Sequence, residues 1–140
     1  MISALVIAGQ KYADRHLAGE GVEHETPVLH AAKLWLDAYF SREAPDTTDL
    51  PLSPKGTTFQ KKVWRELLNI PYGATDTYGA FAGRLGSSAR AVGSAVGRNP
   101  ISIIIPCHRV LAADGSLAGY AGGLENKEKL LRLEGVLNPI

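Results

Sequence analysis

Residues 77–100, TYGAFAGRLGSSARAVGSAVGRNP, decide how this chain is to be read. Thr77 can cap a helix over Tyr78–Leu85, because a short side-chain oxygen at the N-cap accepts a hydrogen bond from a first-turn amide that has no partner within the helix. Gly86 can close that helix, since glycine enters the left-handed conformation at a helix end without a Cβ clash. Ser87 or Ser88 can then open a second helix over Ala89–Gly97, which Asn99-Pro100 ends. Two short helices joined by a tight turn form a helix-turn-helix pattern. The second helix is built almost wholly from small residues around Arg90. Its backbone can therefore approach another surface closely, although for alanine and glycine taken alone tight packing inside the protein is the better account.

Charge is distributed unevenly around this pattern. Residues 55–110 carry 8 Lys/Arg against 2 Asp/Glu, whereas residues 1–54 carry 4 against 8, so the formal net charge of +1 conceals a basic middle segment. Such an asymmetry points to a polyanionic partner or to a solvated basic face.

Towards the N-terminus, Thr57-x-x-Gln60 is a capping-box pattern. The helix it opens places Phe59, Val63, Trp64, Leu67 and Leu68 on one face and is stopped by Ile70-Pro71-Tyr72-Gly73. Residues 42–56, rich in proline, aspartate and threonine and lacking periodicity, read as a linker, with a domain boundary between residues 54 and 55. Before it, Thr26 and Pro27 supply an N-cap and a first helical residue. The helix that follows ends near Ser41 and carries an apolar stripe of Val28, Leu29, Ala32, Trp35, Leu36, Tyr39 and Phe40. Residues 2–7, ISALVI, predict one short strand with no hairpin partner nearby.

Towards the C-terminus, the β-branched run Ile101–Ile105 predicts a buried strand, and PCHRV at its end holds Cys107, the only cysteine among 140 residues. A lone free cysteine is usually a small buried hydrophobe. Against that, Pro106 cannot donate to a sheet ladder, so the strand is expected to end there and present the thiol where a pocket can form. In extended backbone Cys107 and His108 point to opposite sides, and a direct hydrogen bond needs a turn between them. A bridging water would allow a neutral imidazole to accept the thiol proton. Glu134 is the candidate to orient His108, because it lies in the last turn of the final helix, LENKEKLLRLE, where its charge opposes the helix dipole. A solvated glutamate fits that spacing as well. Asp114-Gly115 marks a turn, residues 119–123 a glycine-rich loop, and Gly135 the stop of the final helix.

Composition excludes several classes. A chain that is 45% hydrophobic and 21% charged can bury a core and is not disordered. No stretch approaches the ~20 apolar residues of a membrane span, and the start lacks the basic region of a signal peptide, so a cytoplasmic location away from membranes is expected. One cysteine cannot complete a disulfide framework or a Cys-rich zinc site. Neither a catalytic metal nor a cofactor is expected.

Taken in order, GTTFQKKVW, IPYGATDTYG, RAVGSAVGRNP, IPCHRV and GYAGGLENKEKLLRLEG cover nearly all of residues 56–135. This combination resembles the O6-alkylguanine-DNA alkyltransferases, also called methylated-DNA–protein-cysteine methyltransferases. The resemblance implies a monomer that binds double-stranded DNA containing O6-alkylguanine, flips the base, and moves the alkyl group irreversibly onto its own cysteine. O4-alkylthymine is a further possible substrate of such a protein. By position, Cys107 matches the acceptor, His108 the water-mediated base, Glu134 its orienting carboxylate, and Asn99 the asparagine that holds the network. Tyr78 matches the proton donor to the departing guanine and Arg90 the residue that fills the gap left by the base. Tyr120 and Ala121 would line the base pocket, and Gly79, Ala91 and Ala113 would lie along the DNA surface with Tyr78 and Arg90. The family lays its helix-turn-helix in the minor groove, which suits a slim helix.

Residues and resemblance together predict an α/β (α+β) chain. A reduced N-terminal lobe of strand and helix occupies residues 1–54, and a mostly helical, winged-helix-like DNA-binding domain with a helix-turn-helix occupies residues 55–140. Two departures from the family pattern stand out: further strands usually precede the one matching ISALVI, and the turn in LGSSARAVG is about two residues short. Three other readings remain open. They are a lesion-binding relative without transfer, a Cys-His hydrolase whose acyl-enzyme turns over, and a helix-turn-helix regulator of the major groove with an inert thiol.

Overall fold

The structure is a computed structural model that describes residues 2–5, 26–48, 50–117, 120 and 123–136. Helix α1 spans Pro27–Phe40 and begins as expected, with the Thr26 hydroxyl accepting from the Leu29 amide at 3.2 Å. Its buried stripe is narrower than predicted. Ala32, Trp35 and Tyr39 are buried, while Leu29 and Phe40 are 46% and 52% exposed. Trp35 donates from its indole nitrogen to the carbonyl of Asp46 at 2.7 Å, which folds the following segment back along α1.

Helix α2, Thr58–Leu67, carries the full capping box: Thr57 and Gln60 each accept from the other's backbone amide at 3.0 Å. It buries Val63, Trp64 and Leu67, and the Trp64 indole donates to the carbonyl of Ala95 at 2.8 Å. That bond locks α2 against α4, Ala89–Gly97, whose N-cap is Ser88. Helix α3, Tyr78–Leu85, is capped by Thr77 and closed by Gly86 at φ 64°, where a side chain would be strained. Helices α3 and α4 pack against each other, completing the predicted helix-turn-helix.

Strand β1, Asp76–Thr77, pairs in parallel with β2, Val110–Leu111, in the register Asp76 with Val110 and Thr77 with Leu111. This short ladder fixes the first residue of α3 relative to the turn that precedes β2. The final helix α5, Leu124–Leu133, is followed by Glu134 as its C-cap and by Gly135 at φ 80°.

Ile101–Ile105 is not a strand. Ile101 makes one bridge, to Leu5, and the chain then turns, with the Ile104 amide donating to the Ser102 carbonyl at 2.8 Å and the Ile105 amide to the Ile101 carbonyl at 3.1 Å. Ile103 sits at φ 70° in the middle of this turn. A β-branched residue there costs about 1–2 kcal/mol, which the burial of its side chain offsets. The run is apolar because it is enclosed, and periodicity cannot separate enclosure from extension in so short a stretch. A second tight turn follows around Pro106 (φ −81°, ψ 63°), with the Cys107 amide donating to the Ile105 carbonyl at 2.8 Å. Cys107–Arg109 then form a single 3₁₀ turn, so the thiol lies in a turn and not at the end of a strand.

The start of the chain finds its partners far along the sequence. Ile2 bridges to Leu52 and Leu5 to Ile101, both in parallel, with bonds of 2.7–2.8 Å on either side of each bridge. Residues 2–5 thus form two isolated bridges and not the continuous strand predicted for ISALVI, of which Val6 and Ile7 lie outside the described residues. Among the described residues, one apolar cluster includes Ile2, Trp35 and Tyr39 together with Trp64, Phe81, Val92, Ile101, Ile105 and Leu130. Among the described residues, no helix is long and apolar enough to cross a membrane.

Candidate active site

Cys107 is only 4% exposed and is the first residue of the 3₁₀ turn. Asn99, just beyond α4, shapes the backbone leading to it. Its side-chain oxygen accepts from the Ile101 amide at 3.0 Å, and its amide nitrogen donates to the carbonyls of Ile105 at 2.9 Å and Ile101 at 3.3 Å. Burial pushes the Cys107 thiol up, while a hydrogen bond from Asn99 and the positive charge of Lys127 pull it down. The Tyr120 hydroxyl lies close enough to Cys107 and Ser102 for each to influence its titration, yet it forms no well-aligned hydrogen bond among the described residues.

Lys127 is fully buried and donates to the carbonyl of Val110 at 2.6 Å. Its ammonium lies 5.9 Å from the centroid of the Tyr78 ring, and burial lowers its pKa to about 8. Tyr78 is pushed up to about 12, first by burial and then by the nearby thiol. A phenol with so high a pKa remains protonated and available as a donor at neutral pH.

His108 is completely enclosed, and its Nε2 lies 2.5 Å from Glu134 Oε2. Burial drives the imidazole towards its neutral form, and Glu134 opposes this only in part. With a carboxylate accepting at Nε2, the proton of the neutral ring belongs there, leaving Nδ1 with a lone pair. Nδ1 is buried and has no hydrogen-bond partner among the described residues.

Glu134 is surrounded by donors. Arg109 binds it with Nε to Oε1 at 2.8 Å and Nη2 to Oε2 at 3.2 Å, the Gly73 amide reaches Oε1 at 3.1 Å, and the Tyr39 hydroxyl donates to Oε2 at 2.6 Å. Burial alone would raise its carboxyl, but the bonds from His108 and Arg109 outweigh it and hold the pKa at about 2. Arg109 also donates to the carbonyl of Ile70 at 2.7 Å.

This network makes folding stability depend on pH in a definite direction. His108 is held neutral in the folded protein and protonates more readily once unfolded, so stability falls as pH drops through the ordinary histidine range near 6.5. Glu134 adds a second loss, because its folded pKa of about 2 lies below the unfolded value of 4.5. Its contribution is present above pH 4.5 and lost progressively below it, by roughly 3 kcal/mol in all. Urea unfolding at stepped pH is expected to show both losses. A flat profile between pH 6.5 and 3 would contradict the assignment.

Six of the residues singled out in the sequence, Cys107, His108, Asn99, Glu134, Tyr78 and Tyr120, are linked in this one region by the contacts and charge interactions above. Arg90, Gly79 and Ala113 are exposed instead, Arg90 in the first turn of α4 and Gly79 in that of α3, while Ala91 is partly buried. Ala121 lies outside the described residues. Sequence reasoning missed Tyr39, Arg109 and Lys127. Arg109 adjoins His108 in PCHRV, but Tyr39 reads only as part of an apolar stripe, and nothing local marks Lys127 as buried.

A helix-turn-helix whose first residue, Tyr78, and following residue, Asn99, both interact with a buried cysteine, with a histidine–carboxylate pair beside it, is the arrangement of a nucleic-acid-binding fold with a thiol-centred site. Residues 58–136 match the DNA-binding domain of 6-O-methylguanine DNA methyltransferase, and the chain belongs to that family. It is 56% identical over 116 residues to the methylated-DNA–protein-cysteine methyltransferase of Methanosarcina acetivorans, covering 81% of this chain and 73% of that relative. Identity with the protein of the same name from Methanosarcina barkeri is 44% over 146 residues, covering 95% of this chain and 91% of the other. The chain superposes on the crystal structure of Mycobacterium tuberculosis OGT in complex with DNA with a TM-score of 0.72 and 50% identity, covering 76% of this chain and 66% of that one.

Proposed function

We propose that this chain repairs DNA by direct reversal, transferring the alkyl group of O6-alkylguanine in duplex DNA to Cys107 in a single irreversible event. The observation that carries the reading is the buried Cys107 thiol followed by a neutral His108, whose Nε2–H is committed to Glu134 and whose Nδ1 is free to accept a proton through one bridging water. The names of the relatives and the DNA-bound solved structure support it.

In this reading His108 takes the thiol proton and becomes imidazolium, stabilised by Glu134. The thiolate sulfur attacks the alkyl carbon, a sulfur–carbon bond forms, and the bond from carbon to guanine O6 breaks with its electron pair leaving on the base. Tyr78 donates a proton to the guanine anion and is reprotonated as the imidazolium releases its own, so protons and charge balance. Asn99 and Lys127 favour the thiolate. The thioether has no route back, and each molecule acts once.

The DNA side follows from α4. Its small residues fit the narrow minor groove, and Arg90 projects from its first turn to occupy the gap left by the flipped base. In this reading Gly79, Ala91 and Ala113 lie along the same surface and Tyr120 lines the base pocket, the role that the resemblance also assigns to Ala121, which is outside the described residues. Flipping costs a few kcal/mol, least for a poorly paired base, which contributes selectivity.

A second reading is a lesion binder without transfer. It is favoured by the likeness to S. pombe Atl1 in complex with damaged DNA containing O6-carboxymethylguanine, at a TM-score of 0.51 and 30% identity over 58% of this chain and 79% of that one. Intact-protein mass spectrometry after incubation with a duplex carrying one O6-methylguanine separates the two. Stoichiometric gain of one methyl mass, mapped to Cys107 and not increased by more substrate, is expected. A bound lesion with no gain in mass would replace transfer with binding alone.

A further inference from the structure

We propose that Tyr39, delivered by α1, is a positioning residue for alkyl transfer: its hydroxyl holds Glu134 so that the carboxylate keeps His108 as an Nε2-protonated base. The proposal rests on the reading of Cys107 and His108 given above, and it ties the N-terminal segment to the chemistry.

Tyr39 is fully buried, and its hydroxyl approaches both members of the pair, donating to Glu134 Oε2 at 2.6 Å and lying 3.4 Å from His108 Nε2. Its ring is fixed by stacking on Trp35 at 5.5 Å and by edge contacts with Tyr72 at 5.9 Å and His108 at 6.4 Å. Oε2 therefore receives three donors, two from the neighbouring residues His108 and Arg109 and one, Tyr39, from a distant part of the chain. Each donor withdraws negative charge from that oxygen. Loss of the Tyr39 donor leaves more charge facing the His108 proton, which favours imidazolium and removes the base.

The other charged and titratable groups facing the pair are Arg109 beside His108, Lys127 from α5 and Tyr72 from the segment after α2. Arg109 and Lys127 are cations that oppose protonation of His108, and Tyr39→Phe removes neither of them. Tyr39 also remains un-ionised, because burial and the Glu134 carboxylate both push its pKa upward. Its effect is thus that of a fixed donor.

The test is the pH dependence of single-turnover methyl transfer at saturating O6-methylguanine duplex. Tyr39→Phe keeps the ring and its stacking and removes only the hydroxyl. Its acid limb is expected to move to higher pH by about one unit, with a roughly tenfold slower rate on that limb. Titration of the His108 ring by NMR is expected to shift in the same direction. In a Glu134→Gln background the Tyr39→Phe loss should largely vanish, since the hydroxyl acts through that carboxylate. Should Tyr39→Phe unfold, a ring-fluorinated tyrosine placed at position 39 serves as the second variant. As a stronger donor of nearly the same shape, it should move the acid limb to lower pH. An unmoved limb in the folded variants, or an equal loss with and without Glu134, would overturn the proposal while leaving native transfer intact. Failure of the native protein to acquire a methyl group would instead overturn the reading on which it rests.

Discussion

Cys107→Ala is expected to gain no mass at all from a duplex carrying O6-methylguanine, while binding that duplex within about threefold of the native affinity. The two effects separate because the reacting atom and the proposed DNA surface occupy different places. The thiol is 4% exposed inside the turn before β2, whereas Arg90 and Gly79 are exposed on the first turns of α4 and α3. Replacing one buried sulfur by hydrogen leaves a small cavity and costs about 1–2 kcal/mol, which a folded domain survives. Intact mass and fluorescence anisotropy, read on the same preparation, are the two measurements. Methyl gain in the variant would exclude Cys107 as the acceptor, and an inert native thiol with sequence-specific binding would favour a regulator. A thioester that forms and hydrolyses with turnover on acyl substrates would favour a hydrolase.

Glu134→Gln is expected to slow transfer by about a hundredfold or more and to destabilise the fold by about 3–5 kcal/mol. Both losses have the same origin. The carboxylate compensates the largely buried Arg109 guanidinium and accepts the Nε2 proton of His108. A neutral amide leaves Arg109 without its countercharge, and its NH₂ group can face His108 as a donor. The imidazole would then carry its proton on Nδ1, the nitrogen needed to accept from the thiol. Urea unfolding and single-turnover transfer report the two effects. Native stability together with a native rate would mean that Glu134 neither anchors nor orients the histidine.

The helices and their limits were legible because they are written in neighbouring residues. Thr26, Thr57, Thr77 and Ser88 each cap the helix that follows, and Gly86 and Gly135 adopt positive φ where a stop was read. Ile101–Ile105 misled because five enclosed residues look the same whether extended or turned. Only backbone geometry reveals the positive φ at Ile103. Within the site, the Cys107–His108 pair is adjacent in sequence and visible there. Glu134 stood out by its place at a helix end and by the family resemblance. The hydrogen bonds from Tyr39 and Arg109 to Glu134 span 95 and 25 residues, distances over which hydrophobic periodicity carries no pairing information. Lys127 is harder still, because a lysine on an amphipathic helix is ordinarily solvated and this one is enclosed.

Those long spans have a consequence for the order in which the protein is made. Cys107 leaves the ribosome before Glu134, which follows His108 by 26 residues, and Tyr39 must wait for the same carboxylate. Until α5 docks, the histidine lacks the partner that assigns its proton, and the thiol lacks the buried cation of Lys127. A nascent chain therefore carries an unarmed cysteine. On the proposed reading, in which Cys107 is spent only once, reactivity then begins with completed folding and not with translation of the reactive residue.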